Sequence, residues 1–252
     1  LKLTASEWHE RYLQQARWTK SIRDYLIRDS VVGANLQVLE VGCGTGAVLQ
    51  DVSLQFPEST FGLDINIEYL KLAQARAAGN CFVHGDAINL PFQTDSFDLV
   101  FCHYFMMWIE NPNLAVSEMI RITRNGGSVI TMAEPDYGGR IDYPEVFEKL
   151  GRLQTTALKD QGADPRVGRK LGEIYHAAGL KDVQTGVIGA EWKNAALDGD
   201  RTLEWAVLKD DIGDILSNHE INTLNMAERD ALNDGSRILF VPTFFAKGIV
   251  SK

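Results

Sequence analysis

Apolar and polar positions along the first half of the chain fall into two alternating rhythms. Short runs that are nearly all apolar, LQVLEVG (36–42), TFGLDI (60–65), CFVHGDA (81–87), FDLVFCHY (97–104) and GGSVITMAEP (126–135), read as buried strands. Between them lie helical stretches: GAVLQDVSLQF, stopped by Pro57; 66–79, with Asn66 as cap and Gly79 as stop; and about Pro112 to Arg124. Upstream, Ser6–Ser30 carries Trp8, Tyr12, Ile22, Leu26 and Ile27 at near-helical spacing and predicts a helical arm. Strands without a polar face, separated by helices, predict a parallel sheet covered on both sides.

After residue 135 the rhythm changes. Two helical stretches occupy 144–162 and 166–180, and two more strands are expected at KDVQTGVIGAEW (181–192) and RILFVPTFFAKGIV (237–250). Helical material at about 198–234 separates them, which predicts antiparallel neighbours joined by a helical excursion. There are no internal repeats and no low-complexity linkers. The expectation is one domain over 1–252, with helical cover from 1–30, about 140–180 and about 198–234.

Composition narrows the function. Apolar residues make up 45% and charged residues 23%, ordinary for a globular protein with a real core. The formal charge of −9, from 25 basic and 34 acidic residues, argues against a nucleic-acid partner, whose phosphates are neutralised by Lys and Arg. Cys43, Cys81 and Cys102 match no zinc or CxxC spacing and are expected to be buried reduced thiols. LKLTASEWHE holds no signal-peptide core and no apolar run approaches about 18 residues; a cytoplasmic protein with no membrane association is expected. HxxxH, HExxH and clustered carboxylates are missing, so no metal is expected.

LEVGCGTGAVL (39–49) admits two nucleotide-binding turns. Gly42-x-Gly44-x-x-Ala47 fits a dinucleotide fingerprint; Glu40-x-Gly42-x-Gly44-x-Gly46 is an acid followed by three alternating glycines. Asp64, 20 residues beyond Gly44 at the end of the second strand, can accept from two ribose hydroxyls in either case. Three features separate the readings. Glu40 beneath a pyrophosphate would repel it, whereas S-adenosylmethionine brings an ammonium and a sulfonium. Asp86 and Ala87, after the third strand, offer an acceptor and an amide donor to an adenine edge. A terminal antiparallel strand pair is not required by a dinucleotide fold. Together they favour S-adenosylmethionine.

These residues, in VLEVGCGTG (38–46), GLDI (62–65), GDAINLPF (85–92), FDLVFCHYFMMWIENP (97–112) and RNGGSVI (124–130), resemble the class I S-adenosylmethionine-dependent methyltransferases, on their small-molecule branch. The resemblance covers about residues 36–135. It implies an α/β, Rossmann-like three-layer sandwich whose seven-stranded, mostly parallel sheet runs 3-2-1-4-5-7-6 with strand seven antiparallel. It also implies roles. Gly42, Cys43 and Gly44 would pass under the methionine portion, and Glu40 would orient its amino group. Asp64 would take the ribose, Ile65 would pack on the adenine, and Asp86 with Ala87 would hold its edge. Cys102 and His103 would lie near the sulfonium, and Arg17 with Trp18 in the N-terminal arm would close over the cofactor.

The implied chemistry is in-line displacement of a methyl group from S-adenosylmethionine, leaving S-adenosylhomocysteine, onto a small organic acceptor. Alignment can supply about 7–11 kcal/mol of such a barrier. His103 is the candidate base, or else a polar wall of the pocket; Tyr104 can polarise or stack on an acceptor, or simply bound it. Glu134, Asp136, Tyr137 and Arg140 end the fifth strand and either recognise the acceptor or form a solvated turn. Arg166 and Arg169 can clamp a carboxylate or pair at a helix start. The competing readings are a non-catalytic S-adenosylmethionine-binding or scaffold protein, a protein methyltransferase, and an NAD-dependent dehydrogenase.

Overall fold

The computed structural model describes residues 3–30, 36–56, 59–77, 79–189, 198–213 and 215–252. The arm is two helices, α1 (Ala5–Trp18) and α2 (Lys20–Arg28), rather than one. Thr19 interrupts them: its hydroxyl donates back to the Gln15 carbonyl at 3.0 Å, competing with helical continuation. The glycine turn joins β1 (Val38–Val41) to α3 (Ala47–Ser53), and β2 (Thr60–Asp64) leads into α4 (Ile67–Arg76). Asn66 caps α4 as expected, accepting from the Glu68 and Tyr69 amides. The proposed stop of α3, Pro57, lies outside the described residues.

The strands β3 (Cys81–His84), β4 (Phe97–Cys102) and β5 (Thr123–Pro135) follow, with α5 (Pro112–Ile122) between the last two. Beyond β5 come β6 (Ile141–Tyr143), α6 (Glu148–Asp160), α7 (Leu171–Ala177), β7 (Lys181–Ile188), α8 (Asp198–Ile212), α9 (Asn218–Asn233), β8 (Ile238–Phe240) and β9 (Thr243–Ile249). Residues 190–192 of the expected sixth strand lie outside the described residues.

The main sheet runs β3-β2-β1-β4-β5-β9-β7. Counted within that sheet alone, this is the 3-2-1-4-5-7-6 order, and β9 is antiparallel to both β5 and β7. The fold is therefore the Rossmann-like class I methyltransferase sandwich. One feature of the sheet plan was not expected. The terminal run 237–250 is not a single strand: β8 leaves to pair with β6 in a separate antiparallel ribbon. Pro242, between β8 and β9, has no amide to donate and breaks the ladder there.

Two apolar layers sandwich the sheet. Leu39, Val41, Leu63 and Val100 face α5 and α7, while Val38, Leu99, Phe101 and Ile130 pack with Leu26, Ile27, Val48 and Leu49 of α2 and α3. A third cluster, with Phe147, Leu150, Trp205, Leu208, Ile212 and Ile221, forms a helical cap of α6, α8 and α9 with its own core. Cys43 and Cys102 are buried, but Cys81 is exposed. It opens β3, the edge strand, whose outer flank pairs with no strand among the described residues.

Candidate functional site

The strand order reverses between β1 and β4, and open parallel sheets hold ligands beyond their carboxyl ends at such a point. Two turns meet there. After β1, Gly42, Gly44 and Gly46 adopt φ of 73°, 51° and 76°. After β4, Tyr104 takes φ 50°, a left-handed conformation that an aromatic residue rarely holds without local support. Its amide donates to the Ala133 carbonyl at 2.9 Å, which fixes that bend.

Glu40 lies in β1 with 2% exposure, and its Oε2 has no hydrogen-bond partner. Burial pushes its carboxyl well above the ordinary range, opposed by the nearby Arg23 guanidinium. An unpartnered buried carboxylate oxygen costs free energy unless a donor reaches it. Asp64 braces the glycine turn: Oδ2 accepts from the Gly44 amide at 2.8 Å and Oδ1 from Asn66 at 2.7 Å. Burial raises its pKa against those amide bonds. A carboxylate offers about four acceptor positions, so capacity remains for two hydroxyls. Asp86 is exposed and accepts the Ile88 amide at 3.1 Å, while Ala87 is buried. Ile65 and Ile88, 66% and 42% exposed, present apolar surface beside them. These carboxylate acceptors and apolar surfaces fit the ammonium, ribose hydroxyls and adenine of S-adenosylmethionine.

The arm covers this turn through residues that the sequence reading passed over. His9 shares a 2.7 Å hydrogen bond with Thr45, and the Tyr12 ring lies against Gly44 while meeting Tyr69 edge-on. Helical spacing marked Tyr12 only as apolar; nothing local in sequence ties an arm residue to a loop 32 positions later. Arg17 and Trp18 sit exposed at the carboxyl end of α1. Trp18 stacks under the Arg11 guanidinium at 4.9 Å, and Arg11 forms an ion pair with Glu204 of the cap.

His103 is buried, with Nε2 2.7 Å from the Thr19 hydroxyl. Burial, then the Arg23 charge, pushes its pKa down to about 3. A weakly basic ring already engaged by Thr19 works against a proton acceptor and suits a latch holding the α1–α2 junction to β4. Arg23 completes that latch, donating to the Ala16 carbonyl at 2.8 Å and to Asp51 at 2.7 Å. Any methyl-transfer turnover should keep the same pH profile between about pH 5 and 8 in His103→Gln, with a loss well short of the 10²–10⁴-fold a general base contributes. Release of S-adenosylhomocysteine measured across that range checks this.

Cys102 is buried, its thiol donating to the Thr131 hydroxyl at 3.6 Å and pushed well up by burial. Tyr104 stays neutral, its hydroxyl pushed up to about 12 by burial. The candidates after β5 do not converge as an acceptor cluster. Glu134, in a stretch of β5 buried on both faces, accepts from the amides of Phe105, Met106 and Met107. Asp136 pairs with Arg169, and Arg166 lies exposed near the same Gly138 turn. Arg140 is committed to Asp142 and Gln154. Tyr137 and Arg140 instead line a cleft of about 650 Å³ with Ile141, Arg152, Thr155 and Thr156. Among the described residues no group of three or more His, Cys, Asp or Glu could hold a metal, and no helix is long and apolar enough to cross a membrane.

A glycine turn, an acid beneath it and an acid after β2, at the switch point of a 3-2-1-4-5-7-6 sheet, define the class: a nucleoside-cofactor protein of the methyltransferase fold. Residues 39–131 match the family model described as "Methyltransferase domain", over the same stretch that carries the glycine turn and both acids. It is 30% identical over 143 residues to the malonyl-[acyl-carrier protein] O-methyltransferase of Erwinia pyrifoliae, covering 56% of this chain and 53% of that protein. It is 31% identical over 132 residues to the demethylmenaquinone methyltransferase of Renibacterium salmoninarum, covering 50% and 52%. The chain thus spans about half the length of the curated relatives it matches. Among solved structures, the YcgJ protein of Bacillus subtilis is similar at 19% identity with a TM-score of 0.60, over 92% of this chain and 99% of that one.

Proposed function

We propose that this protein binds S-adenosylmethionine at the glycine turn and passes its methyl group to a small organic acceptor. The observation that carries the reading is the buried, unpartnered Oε2 of Glu40 beneath that turn. No hydrogen-bond partner for it lies among the described residues, and an arriving ammonium would satisfy it with charge. When bound, the cofactor supplies an electrophilic methyl on a sulfonium with a neutral leaving group. The chain's own residues then have three tasks. Glu40 and Asp64 fix the two ends of the nucleoside amino acid. Tyr12 and Phe105, over the glycine turn, exclude water. Tyr104 and Tyr137 bound the side toward the cap, where the acceptor enters.

Two curated relatives are named as a malonyl-[acyl-carrier protein] O-methyltransferase and a demethylmenaquinone methyltransferase, which supports acceptors other than nucleic acid. The formal charge of −9 agrees with that. Tyr104 and Tyr137 are held neutral by burial, Arg140 is committed to Asp142 and Gln154, and the buried Arg11 guanidinium near both tyrosines is paired with Glu204. We assign the protein to the cytoplasm on the same reading.

Calorimetric titration with S-adenosylmethionine and, separately, NAD tests the cofactor. S-Adenosylmethionine is expected to bind in the micromolar range and NAD not at all. Asp64→Ala is expected to weaken binding at least tenfold, about 1.4 kcal/mol. Binding of NAD alone, or an Asp64→Ala variant with unchanged affinity, would sink the assignment.

A further inference from the structure

Glu134, near the switch point, has no part in the cofactor and acceptor contacts proposed above. It is fully buried at the carboxyl end of β5. Its Oε1 accepts from the Phe105 amide at 2.8 Å and the Met106 amide at 3.0 Å, and its Oε2 from Met107 at 3.3 Å. Three consecutive amides of the turn after β4 thus converge on one side chain from the neighbouring strand. That turn carries two features of the site. Tyr104, immediately before it, is held left-handed, and the Phe105 ring lies directly on Gly42.

We propose that Glu134 is a positioning residue: its carboxylate clamps the 105–107 turn, seating Phe105 against the glycine turn and Tyr104 toward the acceptor side. This rests on the cofactor reading given above, but the clamp itself is a property of the chain. It acts through Phe105 and Tyr104 and touches no reacting atom.

The clamp depends on charge. An ionised carboxylate is acceptor-only and serves three donors; a protonated one turns one oxygen into a donor that faces further donors. Among the described residues no cation faces Glu134. The titratable groups around it are Cys102 at the end of β4, Tyr104 in the turn after it and Tyr175 from α7, and burial keeps all three neutral at physiological pH. Burial without a counter-ion raises the Glu134 carboxyl to about 7, even against three amide donors. The clamp is therefore set above neutrality and loosens below it.

The test is amide hydrogen exchange of the full chain, expressed as protection factors, with S-adenosylhomocysteine affinity by calorimetry in parallel. Glu134→Gln keeps the shape but puts an amide donor in place of one oxygen. It is expected to lower protection at 105–107 at least tenfold at pH 8, while amides in β1 and β4 keep theirs. Wild type is expected to lose the same protection between pH 8 and 6, and the variant to show no such pH dependence. Affinity should follow protection, falling about tenfold in each case. Unchanged protection at 105–107, or equal losses across β1 and β4, would overturn the clamp. If Glu134→Gln does not fold, the wild-type pH series alone decides. Should wild type fail to bind S-adenosylhomocysteine at pH 8, the cofactor reading fails while the exchange result stands on its own.

Discussion

Gly42→Ala is expected to abolish measurable S-adenosylmethionine binding and to lower stability by about 2–5 kcal/mol. Two costs add. Residue 42 has φ 73°, which for a side-chain-bearing residue costs about 1–2 kcal/mol. The new Cβ would also lie 2.7 and 2.8 Å from Cε2 and Cγ of Phe105, and closer still to Cδ2. Overpacking of that kind costs about 1–3 kcal/mol, because the ring must shift. Phe105 cannot shift freely, since its amide is held by Glu134. Gly126→Ala supplies the control: φ there is 80° but nothing lies within 4 Å of the added carbon, so only the conformational cost applies. In a double-mutant cycle, Phe105→Ala should recover the steric part and leave the backbone part. Thermal melts and calorimetric titration of the four variants give both numbers. Wild-type affinity in Gly42→Ala would mean that the turn is not the cofactor site.

The sheet was legible because its determinants are local. Nearly all-apolar runs of strand length, glycine after β1 and an asparagine cap before α4 each act within a few residues. The two acids Glu40 and Asp64 were legible for a related reason: a carboxylate is out of place in or at the end of a buried strand unless something needs it. What the sequence concealed is long-range pairing. His9 on Thr45, Thr19 on His103, Arg11 on Glu204 and Tyr12 on Gly44 join positions far apart, with no periodic signature on either side. Glu134 has the same kind of partner: beside Asp136 and Tyr137 it looks like part of a polar turn, yet it lies in a stretch of β5 buried on both faces, where backbone amides of another turn donate to it. Even Thr19, which divides the arm, reads as an ordinary helical position until its hydroxyl is seen bonding the preceding turn.

The cap is expected to depend on one acid. Asp142 in β6 has a side chain only 3% exposed and accepts from Arg140 Nε at 2.6 Å and from Arg237 Nη2 at 3.1 Å. Both guanidinium groups are buried as well, and Arg237 also meets Glu228 at 3.0 Å and lies over the Phe147 ring at 4.2 Å. Asp142→Ala leaves two cations short of a counter-charge away from water. Breaking a buried pair from one side costs about 3–5 kcal/mol. Gln154 and Glu228 still hold part of each arginine, so the lower half of that range is expected for Asp142→Asn. The cap has its own apolar core, and Asp142 bridges the β6–β8 ribbon on which it is mounted. The loss should therefore appear first as local opening: faster amide exchange and proteolysis in α6, α8 and α9, with β1 to β5 still protected. S-Adenosylmethionine affinity should change little, because Glu40, Gly42 and Asp64 lie outside the cap, while transfer to an acceptor should fall. A single cooperative transition, with sheet and cap amides lost together, would instead mean that the cap shares the stability of the sheet and cannot open alone to admit an acceptor.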